Sequence, residues 1–174
     1  MYTVHYSNPE TLIPRDVQTI NAATKTIDMA AYAMVDPEII AAVVARTAAG
    51  VAVRLYLDRT ELESEARGDA MLSHSPLHNI VATPAISVKV KNSSILMHLK
   101  SYCVDGITLR DGSANFSPAG EEVQDNSLTI TDDPYAVALF VAKFESMWSR
   151  PDNLTIAEAV SHTPQSLRTP SHRQ

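Results

Sequence analysis

The chain has 174 residues, of which 45% are hydrophobic, so it is long enough for one domain with a core and too short for two comfortable ones. Its formal net charge of -6 excludes a general attraction to nucleic acid, so any phosphate-binding surface must be local. A single cysteine excludes an internal disulfide, and because no apolar run approaches the roughly 18 residues of a membrane span we expect a soluble chain.

The first half of the chain alternates helical and strand-like patterns. Apolar residues at helical spacing predict a first helix within residues 9–26, and a strand-like run follows at 26–34. A second helix is predicted to begin at Asp36 and end at Gly50, and residues 51–58 alternate as a strand. A strand, a helix and a strand in such a short length predict a parallel pair with a right-handed crossover.

The second half continues the α/β pattern. The predicted elements are a short surface helix in 59–74, a strand at 85–91, a hairpin within 97–117, a strand at 126–133 and a helix at 133–148 that is capped by Asp133. We therefore predict one α/β domain over residues 1–150, with a mixed, mostly parallel central sheet flanked by helices on both faces.

The two ends of the chain are predicted to lie outside the core pattern. Residues 151–174 lose hydrophobic density and gain Ser, Thr and Pro, so we expect a partly disordered C-terminal extension. The first residues lack the basic and then apolar segments of a signal peptide. The compartment, whether periplasmic, secreted or cytoplasmic, is left open by the sequence.

One stretch, residues 97–117, concentrates polar residues that suit a phosphate ester. Residues two apart on a strand share a face, so His98 and Lys100 are predicted to point the same way. A hairpin turn then brings Ser113 and Asn115 back beside them. Imidazole can act as a nucleophile or proton carrier, the ammonium neutralises an anion, and amide and hydroxyl groups donate hydrogen bonds to anionic oxygens.

The spacing of these residues resembles a known signature. HxKxxxxDxxxxxxGSxN is the motif of the phospholipase D superfamily, and this chain matches it at every specified position: His98, Lys100, Asp105, Gly112, Ser113 and Asn115. The resemblance extends from about residue 8 to residue 150, and within the superfamily it is to the small bacterial single-motif nucleases (Nuc-like members).

The resemblance implies a mechanism and an assembly. In this family a histidine attacks phosphorus to give a phosphohistidine, a second histidine protonates the leaving oxygen, and water completes hydrolysis without a metal or other cofactor. By motif position His98 is the nucleophile, Lys100, Ser113 and Asn115 bind the phosphate, and Gly112 is structural. Because the chain holds one motif, the resemblance implies a homodimer with His98 of both subunits at one site on the two-fold axis.

Two acidic residues have different predicted roles. Asp105 falls on the opposite strand face from His98, so a structural role in the turn or at an interface is predicted rather than phosphate binding. Asp125 falls in the downstream block where, by the same resemblance, an acidic residue hydrogen-bonds the catalytic histidine and fixes its tautomer. The small nucleases commonly have the longer glutamate at that position.

The remaining reactive side chains are predicted to be structural or solvated. His74 and His78 are separated by a proline and lack a third ligand, so no metal site is predicted there. Cys103 alternates away from His98 and is predicted to be a buried thiol. The candidates for a local basic rim are Arg54, Arg59, Lys89 and Lys91.

Three functional classes remain open. The leading one is a metal-independent phosphodiesterase that cleaves DNA or RNA, because the single motif resembles that of the small nucleases. The alternative is phospholipase D-type hydrolysis or transfer on phosphatidyl lipids, with a lipid membrane as partner, because the chemistry is shared. The third is a non-catalytic phosphate-binding module, which the intact His98, Lys100 and Asn115 disfavour.

Overall fold

The computed structural model describes residues 1–161, which form a seven-stranded sheet with helices on both faces. The strands are β1 (Tyr2–Tyr6), β2 (Thr26–Ala31), β3 (Ala52–Leu57), β4 (Ile86–Val90), β5 (Lys100–Val104), β6 (Thr108–Gly112) and β7 (Ser127–Thr131). The helices are α1 (Ile13–Asn21), α2 (Pro37–Ala48), α3 (Arg59–Ala66), α4 (His78–Val81), α5 (Pro134–Trp148) and α6 (Ile156–Ser161), and residues Ala119–Val123 form a π-helical turn. The α/β class and the mixed sheet are confirmed.

The sheet has the order β1-β7-β6-β5-β2-β3-β4, and its pairings correct the expectation of a mostly parallel sheet. Only β2–β3 and β3–β4 are parallel, whereas β1–β7, β2–β5, β5–β6 and β6–β7 are antiparallel. The helical crossovers of the first half produce the parallel pairs. The tight turn between β5 and β6 is too short for a crossover, so the second half adds antiparallel strands.

Each face of the sheet carries its own core. The larger core lies between the sheet and helices α1, α2, α3, α4 and α6, and the smaller one lies under α5. Alternation along β5 assigns Tyr102 to the larger core and Cys103 to the smaller one. Burial raises the pKa of the Cys103 thiol to about 11, which keeps it protonated and chemically quiet.

The helix boundaries follow from local capping. Asp36 accepts hydrogen bonds at Oδ1 from the backbone N–H groups of Glu38 and Ile39, and Gly50 takes a φ of 91° just after the end of α2. The Asp133 carboxylate caps α5 in the same way by accepting from the backbone N–H of Ala136, at 2.8 Å. Both caps were predictable from sequence.

Several boundaries differ from the sequence-based expectation. The first helix covers only Ile13–Asn21, and the N-terminal strand β1 was not predicted. Residues 151–161, expected to belong to an extension, pack into the fold instead: Leu154 bridges to Val90, and α6 buries Ala159 and Val160. The expectation of disorder for residues 162–174 lies outside the described residues. No helix within residues 1–161 is long and apolar enough to cross a membrane.

Candidate active site

Five of the six motif residues, all except Asp105, collect at one edge of the sheet, where the strands end. Because β2 and β3 are parallel and β5 is antiparallel to β2, the carboxyl ends of β2 and β3 meet the amino end of β5, where Ala31 is paired with Lys100. The carboxyl end of β6, at Gly112, and the amino end of β7, at Ser127, lie at the same edge. Ligands of open α/β sheets bind outside the carboxyl ends of strands, so this edge is the expected place for a site.

His98 lies just before β5 and is exposed to solvent. Its imidazole ring packs against the ring of Tyr32, which follows β2, with the ring centroids 4.4 Å apart. The Tyr32 hydroxyl in turn donates to Glu61 Oε1 at 2.7 Å. This hydrogen bond, with burial and the charges of Glu61 and Asp58, raises the pKa of Tyr32 to about 12, so Tyr32 remains a neutral phenol. Within residues 1–161 the His98 ring makes no hydrogen bond or ion pair, so both nitrogens are open to a ligand.

Asp58 holds the backbone that presents His98. This residue follows β3, is 1% exposed, and caps α3 by accepting at Oδ1 from the backbone N–H of Glu61, at 3.1 Å. Its Oδ2 accepts from the backbone N–H of Met97 at 2.7 Å. One buried carboxylate therefore fixes both the start of α3 and the residue before His98.

Lys100 is buried, with only 5% of its surface exposed. Its Nζ donates to the His98 carbonyl oxygen at 2.8 Å and lies 4.6 Å from the centre of the Tyr32 ring. Burial lowers the pKa of Lys100 to about 8, against the opposing pull of the Asp58 and Glu61 carboxylates. The ammonium is therefore mostly charged at pH 7, and much of its solvation has been replaced by protein groups, as suits a phosphate ligand.

The Gly112–Asn115 turn is shaped by close backbone approaches. A Cβ at Gly112 would overlap the Ser127 carbonyl oxygen, so only glycine fits there. The Ser113 hydroxyl accepts from the backbone N–H of Ser127 and donates to Asn126 Oδ1, both at 2.9 Å. Ser113 thus braces the turn in this structure, and its predicted contact with phosphate stays a prediction.

Asn115 carries an unpartnered polar group at this edge. Its Oδ1 is buried and has no hydrogen-bond partner within residues 1–161. Gly120 of the π-helical turn packs directly on the backbone of Asn115. A Cβ at Gly120 would lie 2.5 Å from the backbone carbonyl oxygen of Asn115 and 2.8 Å from its backbone nitrogen. Buried polar atoms are normally satisfied, so this oxygen is free to accept a hydrogen bond, while the Nδ2 amide group is the part of Asn115 that could donate to a phosphate oxygen.

The structure does not bring Asp125 to His98, which corrects the sequence-based expectation. Asp125 is exposed, and in the part of the chain that the structure describes it makes no hydrogen bond or ion pair. The next residue, Asn126, turns inward instead, donating from Nδ2 to the Gly120 carbonyl oxygen at 2.9 Å and accepting from Ser113. The polar position before β7 is therefore filled by an amide rather than by a carboxylate.

Asp105 serves the turn between β5 and β6. Its carboxylate accepts from the backbone N–H groups of Thr24, Lys25 and Thr26 at 2.7–2.9 Å, and from the Thr24 hydroxyl at 2.7 Å. Burial would raise the pKa of Asp105, but these hydrogen bonds outweigh it and lower the pKa to about 2. It ties the start of β2 to the β5–β6 turn at the edge of the sheet opposite His98.

A buried ionic cluster lies beneath the motif. Arg110 of β6 is fully buried and donates to both carboxylate oxygens of Asp16, at 3.0 and 2.8 Å, and to Glu121 Oε1 at 3.0 Å. Its Nη1 donates to the backbone carbonyls of Lys100, at 2.6 Å, and Ala114, at 3.1 Å. This cluster was not predicted from the sequence, because its three charged residues are far apart in the chain.

The candidate basic residues divide between the motif edge and the face of the sheet that α5 covers. Arg59 and Lys91 lie at the carboxyl ends of β3 and β4, where they bond Glu63 and the carbonyl of Ile95, respectively. Arg54 and Lys89 stack on Trp148 of α5, on the face opposite Lys100. Of these four residues, Arg59 and Lys91 are placed to form a basic rim beside the motif.

The side chains that sequence analysis missed are Tyr32, Asp58 and Glu61. Their one usable signal was position, because Tyr32 and Asp58 follow the carboxyl ends of two predicted parallel strands. Among the described residues, no group of three or more His, Cys, Asp or Glu side chains is arranged to hold a metal ion. His78 bonds the Met71 carbonyl through Nδ1 at 2.8 Å instead.

Comparison with known proteins identifies the family. The family model described as "Cardiolipin synthase, PLD-like domain" matches residues 17–148, more than half of the chain. The mitochondrial cardiolipin hydrolase of Chlamydomonas reinhardtii is 23% identical over 143 residues, covering 82% of this chain and 60% of the relative. That of Xenopus tropicalis is 25% identical over 130 residues, covering 75% and 58%. This chain therefore spans about 60% of the length of these curated relatives.

Solved structures agree on the fold. The phospholipase D family member Nuc from Salmonella typhimurium superposes with a TM-score of 0.75 at 24% identity, covering 88% of this chain and 97% of Nuc. NucT from Helicobacter pylori gives a TM-score of 0.69 at 18% identity, covering 85% and 96%. The chain has a Nuc-like fold. Its family match extends from α1 to the end of α5, and its motif is intact. The chain therefore belongs to the PLD-like domain family of the phospholipase D superfamily of phosphodiester hydrolases.

Proposed function

We propose that this protein is a metal-independent phosphodiesterase that cleaves nucleic acid through a phosphohistidine at a site shared by two copies of the chain. The observation that carries the proposal is the arrangement at one sheet edge. An exposed imidazole with free nitrogens lies beside the largely desolvated ammonium of Lys100, and Asn115, whose Nδ2 amide group can donate to an anionic oxygen, lies at the same edge. A nucleophile, a cation and an amide donor are groups that serve phosphoryl transfer.

The first step uses His98 as the nucleophile. One imidazole nitrogen attacks phosphorus, a P–N bond forms, and the P–O bond to the leaving group breaks. Lys100 and Asn115 stabilise the charge on the non-bridging oxygens. The leaving oxygen takes a proton from a second histidine, which then acts as a base on water. Water attacks phosphorus, the P–N bond breaks, and the free His98 is regenerated.

The second histidine is proposed to come from another copy of the chain. His5 lines a cavity beside Asp105 at the opposite edge, and His78 is engaged with Met71. Within residues 1–161 neither ring, nor that of the exposed His74, is hydrogen-bonded or stacked against His98 or Lys100. A two-fold axis near His98 would face it with the partner subunit's His98. Within residues 1–161 the imidazole has no carboxylate partner, which also favours completion by a second copy.

The resemblance of the single motif to that of the small nucleases favours nucleic acid over lipid, and Nuc and NucT share the fold over 88% and 85% of this chain. Phospholipase D-type action on phosphatidyl lipids is the second candidate. It is favoured by the relatives named as cardiolipin hydrolases and by Ile95 and Leu96, which are 75% and 44% exposed just before His98. Exposed aliphatic side chains beside a catalytic group suit contact with a lipid surface.

The test presents both substrate classes to the same protein. Purified protein and its His98→Ala variant are incubated in EDTA with DNA and RNA, and separately with phosphatidylcholine and cardiolipin vesicles. The proposal predicts nucleic-acid cleavage that is lost in the variant, with a folded-state circular dichroism spectrum retained. Headgroup release alone would replace the nuclease proposal by the lipase alternative. Absence of turnover in both series would favour a non-catalytic phosphate-binding module.

The assembly is tested by light scattering at the assay concentration. A homodimer should show about twice the chain mass of 19.0 kDa. A strict monomer that retains full activity would refute the shared site, because its His98 would have no histidine partner.

A further inference from the structure

The buried arginine beneath the motif joins the two halves of the site. Lys100 begins β5, and Ala114 lies in the turn after β6, next to Asn115. Their backbone carbonyls both accept from Nη1 of Arg110, at 2.6 and 3.1 Å. Arg110 Nη1 therefore links the backbone of Lys100 to that of Ala114 beyond the last β5–β6 pair, Tyr102 with Arg110. It acts together with the bond from the Ser101 hydroxyl to Asp111.

We propose that Arg110 is a positioning residue of this site, which holds Lys100 and Asn115 at the spacing needed to stabilise the transition state on one phosphate. It touches no substrate, and it acts through the two carbonyls that it bonds. The proposal rests on the proposed phosphodiesterase site, but the binding measurement below tests it independently of turnover.

The surroundings of Arg110 hold the guanidinium rigidly. Nε and Nη2 are bound by the two oxygens of Asp16, which also accepts from the Tyr102 hydroxyl at 2.8 Å. The Phe116 ring lies below the guanidinium carbon, 4.5 Å away. A planar fork bound on several sides has one orientation, so Nη1 is aimed at the two carbonyls.

The charge balance of the cluster supports a positioning role. Burial, and next the nearby Asp16 carboxylate, raise the pKa of Glu121 to about 9. Glu121 is therefore held towards its neutral form, and the charge of Arg110 is paired with Asp16, whose two side-chain oxygens accept from the guanidinium. A buried charge that is paired and hydrogen-bonded in this way can stay beneath Lys100.

The chain offers a matched control in Arg54. This arginine is also bound by both oxygens of an aspartate, Asp28, at 2.6 and 2.9 Å, and by one oxygen of a glutamate, Glu145, at 2.6 Å. It stacks on aromatic rings of α5, on the face of the sheet away from Lys100. The two arginines share a carboxylate pattern. They differ in burial, because Arg54 is partly exposed and Arg110 is fully buried, and in Nη1, which reaches the motif carbonyls in Arg110.

The experiment compares Arg110→Lys with Arg54→Lys. Lysine keeps the charge but cannot bond Asp16 and both carbonyls at once. Turnover of bis(p-nitrophenyl) phosphate gives kcat and KM, and direct titration gives the affinities for inorganic phosphate and for orthovanadate, which can adopt a five-coordinate geometry. For Arg110→Lys we expect kcat to fall roughly 10- to 100-fold with KM little changed. Vanadate affinity should fall by a similar factor while phosphate affinity changes little.

A second variant covers the case in which Arg110→Lys does not fold. The neutral variant Asp16→Asn, Arg110→Met, Glu121→Gln removes the buried charges together, an exchange that proteins often tolerate. It should fold, bind phosphate and lose vanadate affinity. Unchanged kcat and vanadate affinity in either folded Arg110 variant, or equal losses in Arg54→Lys, would overturn the proposal. If the wild-type protein hydrolyses no phosphodiester, the proposed function fails and the vanadate comparison still decides the role of Arg110.

Discussion

The Asp58 carboxylate should contribute more to stability than an ordinary helix cap. Asp58→Ala removes the cap of α3, which is typically worth about 1 kcal/mol. It also leaves the N–H of Met97 without its 2.7 Å partner, and Met97 is only 4% exposed. A buried unsatisfied donor costs about 1–3 kcal/mol, so the expected total loss is about 2–4 kcal/mol. For a domain of this size that corresponds to a fall in Tm of roughly 4–16 °C.

A control separates the two contributions of Asp58. Asp133→Ala removes a cap alone, because within residues 1–161 the Asp133 carboxylate accepts from the N–H of Ala136 and from no other group. It should cost about 1 kcal/mol and leave turnover unchanged. Thermal and urea unfolding of both variants measure the difference. Equal losses in the two variants would refute the claim that Asp58 clamps Met97.

The charge of Asp58 gives a second and independent readout. Burial lowers the pKa of Lys100, and the Asp58 and Glu61 carboxylates raise it. The pKa that results is about 8. Asp58→Asn removes that charge, so the pKa of Lys100 should fall further, and the alkaline limb of the pH–rate profile should move to lower pH. A limb that stays in place would show that Asp58 and Lys100 do not interact as the structure indicates.

Three further predictions concern the motif itself. In the wild-type protein, activity should fall as pH rises through about 8, because Lys100 loses its charge there, and a flat profile to pH 9.5 would exclude it from phosphate binding. Asp105→Asn should lower the free energy of unfolding by about 2 kcal/mol at pH 7. Because the folded pKa of Asp105 is lowered to about 2, the difference in free energy of unfolding between Asp105→Asn and wild type should shrink as pH falls towards that value. A difference that does not change with pH would contradict the hydrogen-bonded role of Asp105. Gly112→Ala should reduce both Tm and activity, because the added methyl meets the Ser127 carbonyl, whereas the matched change Gly106→Ala meets no atom within 4 Å and costs only the strain of its φ of 67°.

The sequence predicted those side-chain placements that depend on residues near one another in the chain. Strand alternation indicated that His98 and Lys100 lie together and that Asp105 faces elsewhere, because side-chain direction alternates along a strand. The helix starts at Asp36 and Asp133 could also be predicted, because an N-cap depends only on residues adjacent in the chain.

The sequence could not predict contacts that depend on the whole sheet. The antiparallel half of the sheet follows from strand pairings that no local pattern specifies, and the Arg110 cluster joins residues from α1, β6 and the π-helical turn. The prediction for Asp125 was wrong because a shift of one residue before β7 decides which side chain turns inward. The structure turns Asn126 inward and leaves Asp125 exposed.

The most direct test of the account is to trap the covalent intermediate. Wild-type protein is mixed with excess oligonucleotide, quenched in alkali, where phosphohistidine survives, and digested for mass spectrometry. The account predicts a phosphate-linked nucleotide on the peptide that contains His98, formed within the first turnover and absent from His98→Ala. Turnover that persists in His98→Ala, or rapid turnover in which no adduct forms on His98, would contradict it.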